Sequence, residues 1–216
     1  MRRHHYTGYA SGTIKVVADE IQLTLARMTG LIETEVKIAV RQPDTIRALL
    51  RSRGFHESVS RRLEVNTLYD TPEARLRASS MLLRIRQVGD DCVLTWKGPG
   101  TTGAHKVRPE VETSAGSAEK LGRILTEIGF QPGFRYEKFR TEYKTSPDAE
   151  GVVTLDETPI GTFLELEGPG DWIDATATAL GFTPADYILE SYGRLYIADC
   201  QRRGVEPGNM TFQFER

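Results

Sequence analysis

The sequence predicts an α+β fold in which a β-sheet closes into a barrel around a charged lumen and helices pack on its outer face. Three observations carry that prediction. First, Leu31–Arg41 alternates at period two, with Ile32, Val36, Ile38 and Val40 opposite Glu33, Glu35, Lys37 and Arg41. That is a strand with one face in a core and the other lined by charge. Second, later segments repeat the device. Arg84 and Arg86 flank Ile85, and Lys106, Arg108, Glu110 and Glu112 oppose Val107 and Val111. Lys97 shares a parity with Thr95, Lys138 with Arg140, Asp156 with Thr154, and Glu165 with Glu167 opposite Leu164 and Leu166. Third, the uncharged parity is only moderately apolar, too thin for a thick conventional core. Closing the sheet puts the charges in a lumen and leaves the apolar face for helices.

The elements follow in order. His4 and His5 stand in a basic, Gly-Ser-Tyr start that reads as a tail, and Ile14, Val17, Ile21 and Leu25 give residues 14–27 a weak amphipathic helical pattern. Residues 1–29 are thus expected to be an N-terminal extension, with the folded domain spanning 30–203 and a tail over 204–216. After the first strand, Pro43 opens a helix with the stripe Ile46, Leu49 and Leu50, and Gly54 stops it. Strands are expected over 58–70, 82–86 and 93–97, and Gly98–Gly103 reads as a mobile loop at the barrel mouth. A strand over 106–112 precedes a helix over 118–128, closed by Gly129-Phe130. A strand over 136–143 and a hairpin turning at Pro159-Ile-Gly161 come next. A helix over 172–180 ends at Gly181-Phe182, and a last helix covers 187–202. Strand, helix and Gly-Phe recur three times, which points to pseudo-repetition at gaps too unequal for a solenoid.

Bulk properties exclude several classes. The net charge of −2 and pI near 6.1 argue against bulk binding of nucleic acid or anionic membrane. No apolar run reaches the ~18 residues of a membrane span. Cys92 and Cys200 form no C-x-x-C pair and no secretory signal precedes them, so a reducing cytoplasm is the expected location. The glycine-rich loop lacks the ending of a P-loop, and Ser191 lies in no G-x-S-x-G. His56 and His105 stand alone and are expected at the surface, and Trp96 and Trp172 on the barrel's outer side.

A lumen of both signs has an electrostatic use. Two like charges ~4 Å apart repel by roughly 4 kcal/mol at an effective dielectric of twenty. Crowded arginines and lysines therefore need anions, and crowded carboxylates need cations. A polyphosphate chelating a divalent metal supplies both. Arginine forks bind phosphate bidentately while lysines act as point charges. An acidic set without a His or Cys cluster indicates Mg²⁺ or Mn²⁺. The bland alternative is that the charges merely neutralise one another in salt bridges.

These residues carry a family resemblance. Glu33-x-Glu35-x-Lys37, Asn66-x-x-Tyr69-Asp70-Thr-Pro72, Leu83-Arg84-x-Arg86 and Leu94-Thr-x-Lys97-Gly-Pro99 come in order. Arg108-x-Glu110-x-Glu112, Lys138-x-Arg140, Leu155-Asp156, Gly161-x-Phe163-x-Glu165-x-Glu167 and Ser191-Tyr192 follow. Over residues 31–200 the series resembles the CYTH family, the triphosphate tunnel metalloenzymes, which include class IV adenylyl cyclases and thiamine and inorganic triphosphatases. The resemblance implies an eight-stranded antiparallel tunnel holding a small-molecule triphosphate and a catalytic Mg²⁺ or Mn²⁺, in a monomer or homodimer. It implies metal ligation by Glu33, Glu35, Asp156, Glu165 and Glu167. It implies phosphate contacts by Lys37, Arg84, Arg86, Lys97, Arg108, Lys138 and Arg140, with Glu33, Glu35, Lys37 and Lys97 at the reacting centre. Class IV cyclases often carry a His-Phe pair before the first motif, where this chain has Met28-Thr-Gly-Leu-Ile32. With no nucleobase-reading set in sight, the expected activity is triphosphate hydrolysis. The rivals are cyclisation of ATP to cyclic AMP and pyrophosphate, and a non-catalytic polyphosphate-binding module.

Overall fold

Strand β1 (Ile32–Val40) is paired along both edges, and this closes the sheet. The computed structural model describes residues 32–213, so the expected extension over 1–29, its helix over 14–27 and strand residue Leu31 lie outside the described residues. Next come α1 (Pro43–Ser52), β2 (His56–Asp70), α2 (Arg75–Ala78), β3 (Leu82–Val88), β4 (Asp91–Lys97) and β5 (Thr101–Thr102). β6 (Lys106–Ala115), α3 (Ala118–Glu127), β7 (Gln131–Lys144), β8 (Val152–Thr158), β9 (Gly161–Glu167), α4 (Gly170–Ala179) and α5 (Tyr192–Arg203) complete the chain. The hydrogen-bonded order is β1-β9-β8-β7-β2-β3-β4-β6, and β6 returns to β1. Eight antiparallel strands thus form a closed barrel, and β5 pairs beside it on β6.

The predicted alternation sorts inside from outside. On the outer face, Val36 and Ile38 of β1, Val153 and Leu155 of β8, and Leu164 and Leu166 of β9 pack under Ile46 and Leu50 of α1 and Ile173 and Ala177 of α4. Burying each such aliphatic side chain stabilises by about 1.5–3 kcal/mol. Trp172 packs against this cluster from outside, as expected. A second, smaller cluster sets Ile85 and Cys92 against Leu125 of α3.

The Gly-Phe repeats are one physical device used three times. Gly54, Gly129 and Gly181 take φ of 83°, 100° and 84°, the left-handed region that ends a helix with little strain when no Cβ is present. The following Phe55, Phe130 and Phe182 N–H groups donate back to the Leu50, Leu125 and Ala177 carbonyls at 3.0, 2.9 and 2.9 Å. Each ring then folds onto the cluster its own helix covers.

Three local expectations are corrected. Part of the supposedly mobile Gly98–Gly103 loop is β5, because Thr101 finds a backbone partner in Val107. The last helix begins at Tyr192 and not at residue 187, since Ser191 caps it by accepting the Arg194 N–H. Ahead of that cap, Ile188 is extended and exchanges two backbone bonds with Lys37, at 2.8 and 3.0 Å. His105 is mostly buried, and its Nε2 lies 2.8 Å from Asp174 Oδ1, which also accepts from the Tyr187 hydroxyl. Beyond α5, Met210 is buried and its backbone bonds to Arg135 and Glu137 of β7. Among the described residues no helix is long and apolar enough to cross a membrane.

Candidate active site

The lumen is built by strand register. Across β1 and β9, Glu35 faces Glu167 and Lys37 faces Glu165, while across β1 and β6, Glu33 faces Arg108 and Glu35 faces Lys106. Lys97 of β4 faces Glu110 of β6, and Arg140 of β7 faces Asp156 of β8. β2 then lies between the basic residues of β3 and β7, with Asn66 opposite Arg86 and Glu64 opposite Lys138. The candidate metal- and phosphate-contacting residues therefore line one closed lumen, on the face that their strand parity assigns them. Tyr69, by contrast, packs in the outer cluster, and Asp70 accepts from the Leu76 and Arg77 N–H groups of α2.

The charges pair within the barrel. Lys97 lies 2.6 Å from Glu33 and 2.9 Å from Glu110, and Lys37 lies 3.0 Å from Glu35 and 3.1 Å from Glu165. Lys106 reaches Glu35 at 2.5 Å. Arg84 and Arg86 both reach Glu112 at 3.1 Å, and the Thr95 hydroxyl donates to the same carboxylate at 2.6 Å. Asp156, with 0 % of its surface exposed, accepts from Lys138 at 2.9 Å, from Arg140 at 2.6 and 2.7 Å, and from the Tyr192 hydroxyl at 2.7 Å. Arg140 also reaches Glu165. Arg108 is different: it forms no ion pair among the described residues and donates to the Gly98 carbonyl at 2.8 and 3.2 Å.

Burial and crowding move the proton affinities apart. Burial alone would raise the Glu33 carboxyl, yet the Lys97 ammonium beside it holds it down to about 2. Glu110 is pushed up to about 8 by burial and by the neighbouring Glu33 charge, which outweigh Lys97. Glu167 is pushed up to about 7 by burial and by the Glu33 and Glu165 charges. Burial opposes the Lys37 charge, but Glu165 and Glu35 keep it above the ordinary lysine range.

The donor set fits a hard divalent cation in kind. Glu33, Glu35, Glu165 and Glu167 offer only oxygens from adjoining β1 and β9, and the raised Glu167 records the like-charge crowding a cation relieves. Among the described residues, however, no three acidic, His or Cys side chains converge as a metal-holding group, because lysines and arginines stand between the carboxylates.

Several lumen groups escape a reading of the sequence. Arg62 and Glu64 on β2 lie among the basic residues, and Glu64 is held down to about 2, with burial opposed by Lys138, Arg140, Arg86 and Arg84. The alternation Glu64-Val65-Asn66 is the available signal, and it is confined to the regular stretch between register shifts before Arg62 and after Thr67. Tyr192 stands out in the sequence only as part of a motif. The first turn of α5 in fact puts its hydroxyl on Asp156 and its ring 5.3 Å from both the Lys37 and Lys138 ammonium groups. At this end of the barrel, Tyr136, Phe163 and Tyr192 pack with Met210, Phe134 and Leu195.

Residues 31–181 match the CYTH domain family. A Methanocaldococcus jannaschii protein provisionally named an adenylate cyclase is 28 % identical over 137 residues, 63 % of this chain and 77 % of that one. A Vibrio parahaemolyticus structure with the same provisional name superposes at a TM-score of 0.68 and 19 % identity, covering 76 % of this chain and 97 % of that one. A Hippeastrum protein, also provisionally named a cyclase and described as having a dominant triphosphatase activity, superposes at 0.56 and 18 % identity, covering 81 % and 97 %.

Proposed function

The chain belongs to the CYTH family, whose members are adenylate cyclases or triphosphatases, and from that premise we propose that it is a divalent-metal-dependent triphosphatase. The observation that carries this reading is the division of charge within one closed lumen. Arg84 and Arg86 on β3 and Lys138 and Arg140 on β7 form a basic side, and the carboxylates of β1 and β9 form an acidic one. A small-molecule triphosphate suits the first and a hard cation the second.

In this reading Arg84, Arg86, Arg108, Lys138 and Arg140 hold the phosphoryl oxygens, and Lys37 and Lys97 neutralise charge gathering on the bridging oxygen. Glu33, Glu35, Glu165 and Glu167 hold the cation, and Asp156 joins them to the extent that Lys138 and Arg140 turn to phosphate. When bound, Mg²⁺ or Mn²⁺ polarises phosphoryl oxygens as a Lewis acid. Tyr192 orients Asp156 and closes one end of the lumen. Hydrolysis is favoured over cyclisation because the lumen-facing rings of Phe163 and Tyr192 are engaged with each other, at 5.6 Å between centroids. The Hippeastrum activity shows that a provisional cyclase name and this fold are compatible with a triphosphatase.

The deciding experiment is incubation with tripolyphosphate, thiamine triphosphate and ATP separately, with Mg²⁺ or Mn²⁺, and products resolved by ³¹P NMR. Orthophosphate from tripolyphosphate, faster than from ATP, is the expected result, and excess chelator should abolish it. Cyclic AMP with equimolar pyrophosphate from ATP would make the protein a cyclase. No turnover of any of the three would leave a binding module.

A further inference from the structure

A phosphate chain reaching from Arg84 and Arg86 to Lys138 and Arg140 crosses β2, the strand between them. The β2 residue midway is Asn66, opposite Arg86 on one side and Tyr136 on the other. Its side chain is 0 % exposed, and among the described residues neither Oδ1 nor Nδ2 has a hydrogen-bond partner. Burying an amide in that state is destabilising, so it calls for an explanation.

The neighbours show what is missing. The two Nδ2 hydrogens need an acceptor, yet the groups around them are mostly donors. Arg84 and Arg86 are turned to Glu112, and the Tyr136 hydroxyl accepts from Arg84 at 3.4 Å. Glu64, two residues away on the same face, makes no hydrogen bond with either oxygen among the described residues and so does not take the amide. An acceptor entering among these cations is an anion's oxygen.

We propose that Asn66 is a substrate-binding residue, donating from Nδ2 to a phosphoryl oxygen of the triphosphate once Arg84 and Arg86 leave Glu112 for the phosphates. The inference rests on the tunnel reading above and deepens it. A neutral donor adds a directed bond to the phosphate chain without adding a further cation to a side that already crowds four. The amide is thus kept unsatisfied in the free protein for a contact made in the complex.

Two variants test it: Asn66→Leu, with the same branched heavy-atom shape and without polar atoms, and Asn66→Asp, which replaces the donor with a carboxylate oxygen. Each is titrated calorimetrically with imidotriphosphate, whose P–N bridges resist hydrolysis, in the presence of Mg²⁺, and each is melted without ligand. Asn66→Leu should bind about tenfold or more weakly, the loss of a hydrogen bond to a charged group. Its unliganded Tm should equal or exceed that of the wild type, because an orphaned polar group is gone. Asn66→Asp should bind more weakly still. Affinity for the Leu variant within about twofold of wild type, or a clear fall in its unliganded Tm, would overturn the proposal by making the amide either idle or structural. A wild type that binds no imidotriphosphate would instead sink the tunnel reading itself, and this inference with it.

Discussion

Glu167→Gln isolates one ionisation in the lumen. The Glu167 carboxyl takes its proton at about 7 in the folded chain, against 4.5 when free, because of burial and the charges of Glu33 and Glu165. Between those two values the native state binds about one more proton than the unfolded state. Unfolding free energy therefore falls as pH rises, and the contribution is fully present below 4.5 and gone above 7. At ~1.4 kcal/mol per pH unit, that interval amounts to about 3 kcal/mol, and partial solvent access brings it to about 2–3 kcal/mol. Glutamine mimics the protonated carboxyl and does not titrate. In EDTA, wild type and variant should differ by no more than about 3 °C at pH 5, and the variant should lead by about 5–10 °C at pH 8, taking ~2–4 °C per kcal/mol at this chain length. Comparing the two proteins cancels the other carboxylates, Glu110 included. Adding Mg²⁺ at pH 8 should then raise the wild-type Tm more than that of the variant, since a cation binding native carboxylates stabilises by mass action. A Tm difference that stays constant from pH 5 to 8 would refute the crowding argument.

Arg140→Ala removes a guanidinium bonded to Asp156 and Glu165, and it should raise the KM for tripolyphosphate by roughly 10–100-fold, as for loss of a charge-assisted contact; an unchanged KM would put β7 outside the substrate contacts. Tyr192→Phe deletes the 2.7 Å bond to Asp156 and should lower stability by about 1.5–3 kcal/mol, read as a fall in Tm, while a Tm within 1 °C of wild type would show that Asp156 needs only its two cations. Tripolyphosphate should bind more tightly at millimolar Mg²⁺ than in EDTA by calorimetry, and equal affinities would separate the basic side from the acidic one as independent sites.

Parity was legible because a strand in a closed barrel has only two faces, and a single charged series such as Glu33, Glu35 and Lys37 fixes which one is inside. The helix stops were legible for a similar reason: Gly54, Gly129 and Gly181 each stand where the chain needs a positive φ, with a phenylalanine next to fold back. What escaped depends on contacts between distant segments. Arg62, Glu64 and Asn66 share one parity in the regular stretch Arg62–Thr67, but the register shifts between Glu57 and Arg62 and past Thr67 break that parity on both sides, so it does not stand out along β2 as a whole. Nothing local tells that Asp174 lies against His105, or that Tyr192 reaches back to Asp156 across 36 positions. Composition marked Gly98–Gly103 as a loop, while the partner that makes Thr101 a strand lies on β6.

The pairing pattern bears on the alternative that these charges only neutralise one another. In the free protein most of them do so, with Lys97 on Glu33, Lys37 on Glu165 and Arg140 on Asp156. Replacing buried ion pairs by apolar side chains is often neutral or stabilising, so stability alone gives little reason to fill a barrel with them. The pairs also link neighbouring strands, or strands one apart, around the wall of the lumen. An anion entering alone must take cations from carboxylates and leave those carboxylates buried and unpaired, and a metal entering alone does the same to the lysines. A metal and a triphosphate entering together give each side a new partner, so the exchange strands no charge. Paired charges therefore hold the lumen ready for a ligand carrying both signs, and Arg108, bonded among the described residues only to the Gly98 carbonyl, is a cation that can engage it without first breaking an ion pair.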